Sequence, residues 1–223
     1  MGTIATASIV TNAQTILQDT LSVRWPGDEL TRWLNDGQRE VVLLKPEAST
    51  ANESVALVTG TKQTIPPAGV SLIRVIRNMG GSPGTTPGKI VRLVNREVMD
   101  AQSPDWHTDA ALTYVKLYFY DPLDPRTYYV YPQAPAGIYV EIAYSKAPAD
   151  AGTTITLDDI YANALLDYVL YRAYSKDAEY AANSALALAH YTAFGNSIAG
   201  KTGAEMARNP NRLDGGANPN VPK

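Results

Sequence analysis

Gly195-Asn196-Ser197-Ile198-Ala199-Gly200-Lys201-Thr202 matches the phosphate-loop pattern G-x-x-x-x-G-K-T along its whole length. Such a loop works when a strand enters it and a helix leaves it, so that backbone amides and the helix N-terminus converge on phosphate. Here an alanine-rich helical stretch precedes the motif, a Gly/Pro-containing tail follows, and no βαβ unit is in sight. The spacing is better read as a helix ending at Gly195 or Gly200. No nucleotide hydrolase activity is expected.

Other reactive constellations are equally thin. His107 and His190 are the only histidines and neither stands in a ligand-spaced pair, so both read as packing or surface residues. There is no cysteine, which excludes a disulfide framework and any thiolate ligand or nucleophile. No G-x-S-x-G is present. Asp121 and Asp124 alternate with prolines, a turn-forming pattern more than a cation site. Asn52-Glu53-Ser54 fits a glycosylation acceptor and Met1-Gly2 with Thr6 fits an acylation pattern, but neither has a supporting context. No catalytic residue, cofactor or metal is expected.

Composition narrows the classes further. The 223 residues are 45% hydrophobic and 18% charged with a net charge of −3, so no global basic field recruits nucleic acid or anionic membrane. The opening MGTIATASIV lacks a basic region and a long apolar run, and no membrane span or signal peptide is expected. Aromatic usage is skewed, with 14 Tyr against 2 Phe. A Tyr ring buries area while its hydroxyl seeks a partner, which suits half-exposed surfaces and interfaces.

The elements that position these residues begin with Trp25–Lys45. Leu30, Trp33, Leu34, Gly37, Val41 and Leu44 recur near a period of 3.6 and form one apolar stripe, with Trp25 at its head. Pro26 suits a first helical position, Asp28 and Glu29 suit the positive end of the helix dipole, and Pro46 stops the helix. Gly37 costs about 1 kcal/mol relative to Ala, so another backbone is expected to pack closely there. Residues 8–21 carry Ile9, Ala13, Ile16, Leu17 and Leu21 at helical spacing, giving a helical hairpin.

After Pro46 the period changes. Val55–Val58 and Lys62–Ile65 read as a hairpin around Gly60-Thr61, and Leu72–Met79 and Val91–Val94 read as strands. Gly80–Lys89 reads as a flexible loop and Asn95 as a cap for a short helix through Met99. Thr113–Tyr120, Tyr128–Tyr131 and Ile138–Tyr144 form an antiparallel meander, with Tyr114, Lys116, Tyr118 and Tyr120 on one face. From Leu157 the helical period returns, with a break near Ser175–Asp177 and an Ala-rich helix from Ala178 to about Phe194.

The expected fold is α+β: a four-helix core of two N-terminal and two C-terminal helices, an inserted antiparallel β-domain and an extended C-terminal tail. The divisions are 1–46 and 157–200 for the helix pairs, 47–156 for the insert and 201–223 for an extended arm.

Several motifs in order resemble the head-to-tail adaptor, or head-completion, proteins of tailed bacteriophages. They are Arg24-Trp25-Pro26 with Glu29-Leu30, Trp33 to Glu40, Tyr118 to Pro122, Tyr129 to Pro132, Leu166-Asp167-Tyr168 and Arg172 to Asp177. The resemblance covers about residues 8–200, with Gly37 standing where Ala is expected. It implies a structural virion protein at the head–tail junction, present in the host cytoplasm during assembly. Similar proteins form a homo-oligomeric ring, commonly of twelve copies, between the portal protein and the tail or nozzle proteins. Double-stranded DNA passes through the lumen without specific binding, which the slightly acidic balance suits. The resemblance also implies a C-terminal portal-docking arm, here Lys201, Met206, Arg208, Arg212 and Leu213. The competing reading is a carbohydrate- or ligand-binding module that uses the tyrosine-rich β-face.

Overall fold

The computed structural model describes residues 2–121, 123–177, 179 and 181–208. Its elements open with α1 (Thr6–Ile16), α2 (Gly27–Leu44), β1 (Thr50–Ala56), β2 (Gly60–Thr64), β3 (Gly69–Gly80), β4 (Thr86–Ile90) and β5 (Arg92–Leu93). They continue with α3 (Arg96–Gln102), β6 (Leu117–Tyr120), β7 (Thr127–Ala134), β8 (Tyr139–Lys146), α4 (Ala162–Lys176) and α5 (Ala181–Arg208). The fold is α+β. It divides into two compact units, Met1–Lys45 with Asp150–Lys223, and Pro46–Ala149.

In the helical unit α4 is the shared neighbour: α1, α2 and α5 all pack against it. Its apolar residues Ala164, Leu165, Val169, Leu170 and Ala173 are buried accordingly. α1 ends at Ile16, short of the expected Leu21, because Gln18 and Ser22 take positive φ and turn the chain; Leu21 is left 85% exposed. α2 starts at Gly27 with Pro26 as its N-cap and stops before Pro46. α5 runs unbroken to Arg208, so residues 201–208, expected in an extended arm, are helical. Phe194 and Ile198 are buried and carry the helix through its glycines. Residues 209–223, including Arg212 and Leu213, lie outside the described residues.

The β unit holds two four-stranded sheets, ordered β1-β8-β3-β4 and β2-β7-β6-β5. Pairing is antiparallel except for β5 with β6. Their inner faces share one core that includes Leu72, Val75, Tyr118, Tyr128, Val130, Val140, Ile142 and Tyr144. The expected hairpin of residues 55–65 does not form. β1 pairs with β8 and β2 with β7, since the chain crosses between sheets at Gly60, φ +108°. Gln63 holds this corner by accepting the Val58 N–H and donating to the Val58 and Gly60 carbonyls.

The 80–89 stretch is not a simple loop: Gly81 and Gly84, both at positive φ, reverse the chain so that β4 pairs back onto β3. The expected meander also splits, because β8 joins the other sheet. β6 is buried on both faces. Tyr118 faces the sheet core, while Phe119 packs 4.8 Å from Trp106 in a smaller cluster with Met99. Asn95 caps α3, its side chain accepting the Glu97 N–H at 2.8 Å.

Candidate functional site

The stripe of α2 faces α4. Leu30, Leu34 and Val41 are fully buried, Trp25 and Trp33 nearly so, and Gly37 is buried with them. A Cβ on Gly37 would stand 2.9 Å from Cδ1 of Tyr168, so what approaches is a tyrosine ring and not the expected backbone. Leu44, at 50% exposure, leaves the stripe. Trp25 donates from Nε1 to the Ala173 carbonyl at 3.3 Å, joining the start of α2 to the end of α4.

Polar side chains fix these elements. Asp19 accepts the N–H groups of Val23, Arg24 and Trp25 at 2.8–2.9 Å; those bonds, Trp25 foremost, hold its carboxyl below the usual range. Gln38, fully buried on α2, accepts from Thr156 N–H and Oγ1 and from Leu157 N–H. Asp159 accepts from Thr3 and Ile4, tying the first residues to the start of α4's lead-in. Ion pairs Arg24–Asp177 and Lys176–Glu29, each 2.7 Å, close the far end.

α5 docks on α4 through a ladder of rings. Tyr168 meets Phe194 at 5.2 Å, Tyr171 meets Tyr191 at 4.8 Å, and Tyr174 stacks on His190 at 5.7 Å. His190 Nδ1 also lies 2.9 Å from Asp167. Much of the helical tyrosine content is explained by this seam.

The last turns of α5 are seated differently, by charge. Glu205 hydrogen-bonds and ion-pairs with Lys45, whose side chain is only 5% exposed. Lys45 and Lys201 place their ammonium groups 5.9 and 4.5 Å from the centroid of Tyr161. Burial alone would lower the Lys45 pKa, but Glu205 and Tyr161 outweigh it and hold it above its ordinary value. Burial and the neighbouring Lys45 push Lys201 down. Met206 and Arg208 complete the helix. This seat, with the segment that leaves it, is the candidate docking site.

The phosphate-loop motif is absorbed in α5. Gly195 to Thr202 are all helical, so their amides are committed to the helix ladder, and Thr202 Oγ1 donates to the Ile198 carbonyl at 3.0 Å. His107 stacks on Trp106 and hydrogen-bonds Thr61 Oγ1 at 2.8 Å. Among the described residues no group of three or more His, Cys, Asp or Glu could hold a metal. The expected tyrosine face is not an open platform: Tyr118 is buried, and Tyr114 has Lys89 and Lys116 beside its ring.

No described helix is long and apolar enough to cross a membrane. No curated protein is similar enough to the chain to count as a match. The SU10 adaptor protein family matches residues 5–214, spanning both units. The chain belongs to the SU10 adaptor family, a family of bacteriophage structural adaptors rather than enzymes.

Proposed function

We propose that the chain is the subunit of a homo-oligomeric ring that joins the portal to the tail or nozzle proteins and extends the DNA channel. Family membership over residues 5–214 is the observation that carries this reading. Its place is the virion head–tail junction, reached from the host cytoplasm during assembly. Twelve copies would match the portal symmetry that such rings commonly adopt. Double-stranded DNA traverses the lumen without specific contacts, in keeping with a net charge of −3.

The portal-docking element is the end of α5 from Lys201 through Met206 and Arg208, continued by Arg212 and Leu213. Gly200 and Gly203 weaken the helix there, and a Cβ at either would meet nothing within 4 Å, so neither glycine is required by packing. Lys201 and the arginines give this end a positive balance over Glu205 and Asp214, which fits an acidic groove on the portal. Stopping the chain before Lys201 tests the assignment. The shortened protein retains Phe194 and Ile198, should melt cooperatively, and should fail to join portal-filled heads. Joining as well as the full chain would move the portal contact elsewhere.

A further inference from the structure

Among the described residues Leu123 is the most exposed large apolar side chain, at 94%. It stands between Asp121 and Asp124 in the turn from β6 to β7. Asp121 Oδ1 accepts the Leu123 N–H at 2.9 Å, and the Asp121 carbonyl accepts the Asp124 N–H at 3.1 Å. The turn is thus shaped by its own hydrogen bonds and presents an apolar tip flanked by carboxylates.

The opposite end of β6 carries the complement. A groove of about 530 Å³ is lined by Lys89, Ile90, Arg92, Tyr114, Lys116 and Leu117, among others. It lies where β4, the last strand of one sheet, comes beside β5, the last strand of the other; Val91 N–H bonds the Ile76 carbonyl there at 3.2 Å. Its lining holds three cations and no carboxylate. None of the three cations forms an ion pair among the described residues. Lysines on sheet edges also deter strand-to-strand aggregation. That role needs no apolar floor, and here Ile90 and Leu117 supply one.

We propose that the Asp121–Asp124 turn of one copy seats in this groove on the next. Leu123 covers the apolar floor, and the two carboxylates face Lys89, Arg92 and Lys116. The proposal rests on the ring reading above and names the contact within it. A nucleic acid backbone would satisfy the cations but leave Ile90 and Leu117 uncovered, so a second copy fits the groove better. The turn cannot reach its own groove, because about 13 Å of paired strand separates Leu117 from Asp121. Socket and plug at opposite ends of one strand make a head-to-tail contact, the kind that propagates and closes into rings.

The absence of native cysteine makes the test direct. Asp124→Cys and Lys116→Cys are placed together in the full-length chain, which is oxidised alone and with portal, with electron microscopy of each sample. The double variant should give a ladder beyond dimer on non-reducing gels, and each single variant at most its own dimer. Asp124→Lys and Lys116→Glu should each weaken self-association at least tenfold, and together restore it to within about threefold. Rings without a ladder or charge rescue would overturn this contact and leave the ring reading standing. Neither rings nor a ladder would overturn both. Duplex DNA binding that Lys116→Glu abolishes, with self-association unchanged, would make the groove a nucleic acid site and also overturn the proposal.

Discussion

Replacing Glu205 with Gln should loosen the end of α5 without unfolding the protein. A hydrogen bond to a charged group contributes roughly 1.5–3 kcal/mol, and solvent screening at the half-exposed Glu205 reduces that to about 1 kcal/mol. Against it stand Gly200 and Gly203, each costing the helix about 1 kcal/mol relative to Ala. The substitution also leaves Lys45 and Lys201 facing one tyrosine ring with the carboxylate that pairs Lys45 removed. Opening of residues 201–208 should therefore become about fivefold more frequent, since 1.4 kcal/mol is a factor of ten. Amide hydrogen exchange resolved by residue is the assay. Protection should fall at 203–208 and stay unchanged at Leu165–Ala173 and in the β unit. Adding Gly203→Ala, whose Cβ meets nothing within 4 Å, should return the exchange near its original value. Unchanged exchange at 203–208, or faster exchange across the whole helical unit, would refute the charge-held seat.

Gly37→Ala gains about 1 kcal/mol of helix propensity but drives a methyl to 2.9 Å from Tyr168, so a net loss of up to about 2 kcal/mol should appear in denaturant melts. Tyr128→Phe should hold or raise stability by up to about 1 kcal/mol, because the buried hydroxyl has no hydrogen-bond partner among the described residues; a lower melting temperature would mean that it has one. Alkali should act on the β unit. Burial raises Tyr128 well above its ordinary value and, with Glu53, pushes Tyr144 up to about 12, so stability is intact below pH 10 and falls above it as the unfolded tyrosines ionise first. Tyrosinate absorbance should show a cooperative step tied to unfolding, and one smooth titration near pH 10 with the fold intact would contradict this. The Lys45–Glu205 seat follows the same sense. With the Lys45 pKa raised, its contribution is whole below about pH 10.5 and lost above the raised value, readable as faster exchange at 203–208.

Periodicity made α2 legible because one face of it is buried and the other is wet, so Leu30, Trp33, Leu34 and Val41 stand out among charges. It was silent about α4 as the shared neighbour, since a helix touched on several sides carries a weaker stripe. β4 escaped notice because all five of its residues are exposed, leaving no alternation to read. The split of the meander was hidden for the opposite reason: Tyr118 and Phe119 are both buried, on opposite faces of β6. Gly195 and Gly200 look like helix ends, yet buried Phe194 and Ile198 and the Lys45–Glu205 pair override local propensity. Nothing local singles out Gln38 or Asp159, since no sequence pattern marks a buried amide or a carboxylate that binds backbone 118 or 156 positions away. The seat at the end of α5 is only half legible in the sequence, because Lys45 and Tyr161, which Lys201 meets there, come from distant stretches.

Electron microscopy of the full-length protein mixed with the portal protein of the same virus tests the adaptor account most directly. The account predicts a closed ring of this chain, coaxial with the portal and continuous with its channel, whose attachment is lost when the chain stops before Lys201. Portal particles that carry no added ring at saturating protein, or single copies bound without ring closure, would contradict it.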